Sequence, residues 1–177
     1  NIDAYTPDEV VEFENMVDEL ENRQLNQLAF DDLIEFRKAM MSDFIVGKHH
    51  RILADMLMAI ERGDKDRVCV NIPPRHGKSQ LVSIFYPAWF LGRNPDKKVM
   101  MVSHTSDLAV DFGRKVRNLI ATDAYRAVFP SVRLAADSKS AGRWNTNVGG
   151  EYYATGVGSA LAGRGADLLL IDDPHSE

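Results

Sequence analysis

The chain has 177 residues, of which 45% are hydrophobic and 27% charged, so it can bury a core and is neither disordered nor fibrous. Its apolar runs are far shorter than the roughly 20 residues of a membrane span, and its acidic N-terminus lacks the pattern of an export signal. The single cysteine, Cys69, excludes an internal disulfide and a multi-cysteine zinc site. A reducing, intracellular compartment is the default expectation.

The net charge of -5 is unevenly distributed. Residues 1–35 contain 11 acids and one base, so this end carries a net charge of -10, whereas the remainder carries +5. We expect the two parts to have different roles. A charge of +5 on the larger part is too weak to indicate nucleic-acid binding by itself.

The first third of the chain is predicted to be helical. Apolar residues recur at helical spacing over residues 7–28, with Thr6 as N-cap and Pro7 in the first turn. A second helix is predicted from Asp31 or Asp32 to about Ser42. A third covers residues 49–61.

The pattern then changes to that of an α/β sheet. The run Val-Cys-Val-Asn-Ile at residues 68–72, bounded by turn residues, predicts a strand buried on both faces. The further predicted elements are a helix over 78–91, a strand over 99–103, a helix over 106–120, a hairpin over 143–156 and a strand over 167–171. This alternation predicts a mostly parallel sheet flanked by helices. We divide the chain into a helical extension, residues 1–46, and an α/β domain, residues 47–177.

A candidate phosphate loop follows the first predicted strand. Its Gly77-Lys78-Ser79 sequence, at the start of a helix, offers backbone N–H groups to phosphate oxygens, with Lys78 reaching the β- and γ-phosphates and Ser79 holding Mg²⁺. The full pattern GxxxxGK(S/T) requires a glycine where the chain has Ile72. The residues predicted to contact a nucleotide in this loop are Pro74, Arg75, His76, Gly77, Lys78, Ser79 and Gln80.

Two consecutive carboxylates end the last predicted strand. Asp172 and Asp173 follow Leu-Leu-Leu-Ile, at the sheet edge where open α/β folds bind ligands. We predict that Asp172 helps to hold Mg²⁺ and that Asp173 orients and deprotonates the attacking water. Together with the loop, these residues predict a phosphoryl-transfer site.

Phosphoryl transfer also requires cations against the developing charge. Arg75 in the loop is one candidate, and Arg164, flanked by glycines before the acidic strand, is the other. His49, with its neighbour His50, begins a helix upstream of the loop, where a nucleotide base is often bound. A dinucleotide fingerprint at residues 156–161 is rejected because Leu161 occupies its last glycine position.

Taken together, these residues resemble a known family, the ATPase domain of large terminase subunits of tailed bacteriophages. The resemblance extends from about Gly47 to Pro174. The segments that carry it are residues 72–79, 85–95, 102–105, 112–117, 149–152 and 163–174.

The resemblance implies a P-loop NTPase of the additional-catalytic-acid type that hydrolyses ATP to drive double-stranded DNA into a preformed capsid. Lys78 and Ser79 correspond to the Walker A pair, Asp172 to the Walker B aspartate, and Arg75 to an arginine of the phosphate loop. Asp173 stands where many relatives have a catalytic glutamate, so Glu177 is a second candidate for the catalytic acid. Arg164 lies near a position from which some relatives act on the neighbouring subunit.

The resemblance also implies cofactors and partners. These are ATP and Mg²⁺, double-stranded DNA, the portal protein, the small terminase subunit and a homo-oligomeric ring, a pentamer by resemblance. The location is the host cytoplasm, at the procapsid portal, without a membrane. No nuclease activity is expected, because the family's nuclease residues would follow Glu177. The acidic helices are expected to contact another packaging protein or a neighbouring subunit rather than DNA.

Two other functions stay open at this point. One is a P-loop enzyme with a small-molecule acceptor, such as a kinase, although the sequence has no arginine-rich lid. The other is an assembly module that binds ATP without useful turnover, which the aspartate at position 173 keeps open.

Overall fold

A computed structural model of the protein describes residues 6–138, 140–159 and 163–175. In chain order the elements are α1 (Pro7–Asp31), α2 (Leu33–Met40), α3 (Lys48–Glu61), α4 (Lys78–Gln80), α5 (Tyr86–Arg93), β1 (Lys98–Ser103), α6 (Ser106–Ile120), α7 (Asp123–Val128), β2 (Arg143–Asn145), β3 (Glu151–Gly156) and β4 (Leu168–Ile171). A π-helical turn, Leu81–Phe85, joins α4 to α5, so residues 78–93 form one helical segment. Among the described helices, none is both long and apolar enough to cross a membrane.

The four strands form one mixed sheet in the order β2-β3-β1-β4. β1 pairs in parallel with β3 and with β4, and β2 pairs with β3 in the predicted antiparallel hairpin. The α/β class is therefore confirmed. The carboxyl ends of β1, β3 and β4 meet at one edge of the sheet, which is where the two aspartates follow β4.

A continuous apolar core lies between the sheet and the helices. β1 is buried along all but its first residue, and α6 presents Ala109, Phe112 and Val116 to the core. The end of α1 and most of α2 belong to the same core. Trp89 fixes this contact, since its indole N–H lies 3.2 Å from the carbonyl oxygen of Ala29. The domain boundary at residue 46 stays a prediction.

The N-terminal helices form as predicted, because their capping residues satisfy the free backbone N–H groups. Thr6 and Glu9 make a reciprocal capping box on α1, and Asp32 accepts hydrogen bonds from the N–H groups of Ile34 and Glu35 at the start of α2. Ala29 is the only buried residue described in α1. Most of the remaining residues of that helix are exposed, and they include both acidic and apolar side chains.

The strand predicted over residues 68–72 is absent, and that prediction was wrong. The segment is irregular, with its even-numbered residues half-buried and with Cys69 and Asn71 exposed. Val70 and Ile72 pack against the core, so the apolar side chains are accommodated without a strand. An apolar run indicates burial, but a strand also needs a neighbouring strand for its backbone hydrogen bonds. Among the described residues no strand pairs with this segment.

The helix predicted over 78–91 forms with a π-helical turn that the sequence analysis did not anticipate. Pro87 has no N–H and its ring clashes with the carbonyl group four residues earlier, that of Ser83, in a regular α-helix. The wider turn relieves this clash, and the N–H of Tyr86 donates to the carbonyl oxygen of Leu81 five residues back. The short helix α7 was also not predicted.

Gly150 tests the packing at the start of β3. A Cβ atom at this position would lie 2.3 Å from the carbonyl oxygen of Pro95 and 3.0 Å from that of Lys97. We expect Gly150→Ala to lower the free energy of unfolding by about 1–3 kcal/mol, measured by urea denaturation. Gly165→Ala is the control, because nothing lies within 4 Å of its Cβ position, and it should change stability by less than about 0.5 kcal/mol. Equal effects of the two substitutions would contradict this packing.

Candidate functional site

The loop before α4 offers free backbone donors. Arg75 and Gly77 have positive φ angles of 64° and 74°, and glycine adopts this conformation without steric cost. Within the described part of the chain, no backbone carbonyl accepts a hydrogen bond from the N–H of Arg75, His76 or Gly77. Backbone N–H groups in such a loop can bind an anion.

Asp172 is buried beyond the end of β4, and its position is fixed on three sides. Its side chain is 6% exposed, and its Oδ2 accepts a hydrogen bond of 2.8 Å from the hydroxyl of Ser83 in the π-helical turn. Its carbonyl oxygen accepts a second bond of 2.8 Å from the hydroxyl of Ser103, the last residue of β1. Its N–H donates to the carbonyl oxygen of Val102. A carboxylate held in this way has little freedom to reorient.

Asp173 is placed differently. Its side chain is 66% exposed, and its backbone has a φ of 47°, which is uncommon for a residue other than glycine. Its carbonyl oxygen accepts a hydrogen bond from the N–H of His104 after β1. The two consecutive aspartates therefore present one buried and one exposed carboxylate at the same edge.

Lys78 joins the loop to these carboxylates. Its Nζ lies 3.6 Å from Oδ1 of Asp172 and 3.6 Å from Oδ1 of Asp173. These are ion pairs rather than hydrogen bonds, so the ammonium group can move toward another anion at small cost. The structure thus brings together three of the predicted site residues, although Lys78 is more than 90 residues from the two aspartates in the sequence.

Two histidines at the start of α3, His49 and His50, pack against the loop and its own histidine, His76. The ring centroids of His49 and His50 are 3.9 Å apart, and those of His49 and His76 are 5.8 Å apart. The N–H of Gly47 donates to Nδ1 of His50, so the proton of the neutral His50 ring is on Nε2, which donates to the carbonyl oxygen of His76 at 3.0 Å. Burial, reinforced by the charge of His49, lowers the pKa of His50 below its usual range. His50 therefore supports the loop as a neutral ring.

Gln80 is hydrogen-bonded to Arg37, a residue that the sequence did not indicate. Its Oε1 accepts a hydrogen bond of 2.8 Å from Nη2 of Arg37, a buried arginine of α2. Helical spacing places position 37 beside Ile34 on the buried face of α2, but no motif distinguishes it. Ser83 was missed for a similar reason, since only the fold brings it to Asp172.

Arg164 lies at the other edge of the sheet. Its guanidinium stacks on the ring of Tyr153 at 4.2 Å and lies 3.8 Å from Oε1 of Glu151, at the amino ends of β1 and β3. A cavity of about 320 Å³ adjoins it, between Lys98 and Arg143. The length of β1, roughly 17 Å, separates this edge from Lys78. Arg164 therefore does not join the other predicted site residues, and Glu177 lies outside the described residues.

The oxygen donors at the carboxyl edge fit Mg²⁺ only in part. Among the residues that the structure describes, no three His, Cys, Asp or Glu side chains surround a common metal position. Magnesium in nucleotide sites needs fewer, because phosphate oxygens and water complete its shell around one or two carboxylates. Asp172 can be that carboxylate: its Oδ2 accepts the hydrogen bond from Ser83, and its Oδ1 accepts no hydrogen bond from that hydroxyl. Ser79, whose hydroxyl is the other predicted ligand, is the second residue of α4.

The fold and the site define an α/β protein with a lysine and two carboxylates beside a loop whose backbone N–H groups have no carbonyl partner in the described part of the chain. Residues 69–176 match the family described as "Terminase large subunit, T4likevirus-type, N-terminal". Because the match covers more than half of the chain, the protein belongs to this family of large terminase subunits, which confirms the resemblance found in the sequence. The family indicates a role in phage DNA packaging. Comparison with curated proteins and with solved structures gave no significant match.

The low pKa of His50 predicts a pH dependence of stability. The unfolded chain binds a proton at the ordinary histidine pKa, whereas folded His50 resists protonation, so stability is highest above that pKa and falls as the pH decreases below it. His50→Gln should flatten the loss of unfolding free energy between about pH 7.5 and about pH 5.5, by at most about 1.4 kcal/mol per pH unit. Urea denaturation at several pH values measures this.

His104 provides the control for this experiment, because it is an exposed histidine that follows β1 at the carboxyl edge of the sheet. His104→Gln should leave the pH dependence of stability as in the unchanged protein. If His50→Gln also leaves it unchanged, His50 does not support the loop as a neutral ring.

Proposed function

We propose that this chain is the ATP-hydrolysing motor domain of a large terminase subunit, with the P-loop NTPase fold, and that it drives double-stranded DNA into a preformed capsid. The observation that carries the proposal is the position of Lys78 Nζ, 3.6 Å from both Asp172 and Asp173, beside a loop with free N–H groups. Membership of the terminase family supports the DNA substrate.

Each residue has a defined part in the proposed reaction. The backbone N–H groups of the loop bind the β- and γ-phosphates of ATP, and Lys78 turns from the carboxylates to the same oxygens. Ser79 and Asp172 would hold Mg²⁺, and the bound metal would neutralise charge on the phosphates. Asp173 accepts a proton from the attacking water while the oxygen of that water bonds to the γ-phosphorus. ADP leaves with the electron pair of the broken P–O bond.

The exposure of Asp173 suits this part, because the attacking water must reach it from solvent. The fixed position of Asp172 suits metal binding, since a carboxylate held by Ser83 and by the backbone keeps its second oxygen, Oδ1, in place. Arg75, exposed within the loop, is proposed to contact the phosphates.

Arg164 is proposed to act on the ATP of a neighbouring subunit. About 17 Å of β1 separates it from Lys78 of its own chain, which argues against a role in its own site. The proposed assembly is a ring at the portal in the host cytoplasm, with the small terminase subunit and DNA as partners. The acidic α1, exposed over most of its length, is proposed to contact another packaging protein or a neighbouring subunit.

Mg²⁺-dependent ATP hydrolysis, measured with and without double-stranded DNA, tests the proposed activity. Lys78→Ala and Asp172→Asn should each lower turnover by at least about 100-fold, since each removes a group that binds developing charge. Lys65→Ala, which removes an exposed lysine from the loop after α3, is the control and should retain full activity. ATP binding without Lys78-dependent turnover would favour the nucleotide-gated assembly module instead.

Mixing two inactive variants tests the role of Arg164. If Arg164 acts on a neighbour, Arg164→Ala mixed with Lys78→Ala should regain part of the activity, because some interfaces then combine an intact loop with an intact arginine. Turnover per subunit of the unchanged protein should rise with concentration. Full activity of Arg164→Ala alone, or no recovery on mixing, would rule out this role.

A further inference from the structure

Arg37 is a buried charge beside the phosphate loop. Only 3% of the residue is exposed, and its guanidinium carbon lies 3.4 Å from the ring centroid of Phe44 and 5.0 Å from that of Phe85. The other buried residues at the start of α2 are apolar. Arginine is therefore an unexpected choice at this position.

The guanidinium is poorly satisfied. Nη2 donates to Gln80, but Nε and Nη1 have no hydrogen-bond partner. No carboxylate of the described residues lies within ion-pair distance of Arg37. Burial lowers the pKa of Arg37 to about 10, so the side chain still carries its charge at neutral pH. A buried charge without a counter-charge costs several kcal/mol, whereas an apolar side chain of similar volume would cost none of this.

One of the unsatisfied donors, Nη1, lies beside the loop. A Cβ atom on Gly77 would lie 3.8 Å from Nη1 of Arg37 and 2.8 Å from Nε2 of His50. The same guanidinium holds the side chain of Gln80, the residue after Ser79. Its charge is thus directed at the segment whose backbone N–H groups are free.

We propose that Arg37 is a positioning residue for phosphate binding, whose charge is balanced only when the phosphates of a nucleotide occupy the loop at residues 73–79. This inference rests on the proposed function, since it assumes that the loop binds phosphates. In this proposal the bound phosphates interact with Arg37 as well as with Lys78. Arg37 comes from α2, which lies outside the segment matched by the family. A bound phosphate supplies the counter-charge that the protein itself does not.

This role predicts opposite effects on stability and on ligand binding. Arg37→Met removes an uncompensated charge, so the unliganded protein should melt at the same or a higher temperature. Its affinity for pyrophosphate should fall about tenfold, as expected for the loss of a nearby charge at moderate effective dielectric. Arg37→Lys keeps the charge and should retain affinity within about threefold. Thermal unfolding and titration calorimetry with pyrophosphate measure the two effects.

Arg93→Met is the matched control. Arg93 is also largely buried but is paired with Glu61 at 3.0 Å, so its loss leaves a carboxylate unpaired. This substitution should lower the melting temperature and leave pyrophosphate affinity unchanged.

The outcomes separate this inference from the proposed function. If Lys78→Ala fails to weaken pyrophosphate binding, the loop is not a phosphate site and the proposed function fails. If Lys78→Ala weakens binding but Arg37→Met binds as well as the unchanged protein, only the role of Arg37 is wrong. The role of Arg37 is also wrong if the Arg37→Met protein is unfolded. It is equally wrong if Arg37→Lys folds but loses as much affinity as Arg37→Met does.

Discussion

The hydrogen bond between the Ser83 hydroxyl and the buried carboxylate of Asp172 joins the two parts of the candidate site. Ser83 belongs to the helical segment that begins at Lys78, and Asp172 follows the edge strand β4. A buried carboxylate needs such a donor, because desolvation without a hydrogen bond is costly. The bond therefore fixes the helix against the sheet and, with it, the distance from Lys78 to both aspartates. The π-helical turn before Pro87 contributes, since Ser83 lies within it.

Charge compensation differs among the cations of this site. Lys78 faces two carboxylates, whereas the described residues provide none for Arg37. In the proposed reaction, an arriving phosphate chain would change both environments, because it would offer Lys78 oxygens in place of the carboxylates and would offer Arg37 a counter-charge. The two carboxylates released by Lys78 would then carry free negative charge, which favours a divalent cation. Under this proposal, phosphate and metal binding support each other for this electrostatic reason.

Local patterns in the sequence predict those parts of the fold that depend on local physics. The capping residues Thr6 and Asp32 and the paired glycines at 149 and 150 act within a few residues, so α1, α2 and the β2–β3 hairpin were predicted from them. The strand expected at residues 68–72 depends on a neighbour elsewhere in the chain, and its apolar pattern carries no information about that neighbour. Lys78 and the two aspartates were found because each belongs to a motif. Arg37 and Ser83 belong to none, and only tertiary packing reveals them.

The two edges of the sheet have consequences for assembly. Lys78 and the aspartates are at the carboxyl edge, and Arg164, stacked on Tyr153 beside Glu151, is at the amino edge. If Arg164 completes a neighbour's site, the contact joins the amino edge of one sheet to the carboxyl edge of the next, and in a ring such a contact is heterologous. A heterologous contact repeats from subunit to subunit until the rotation closes a ring, so activity would depend on closure. The ion pair of Arg164 with Glu151 must then weaken on assembly, because the same guanidinium cannot bind that carboxylate and a neighbour's phosphate equally well.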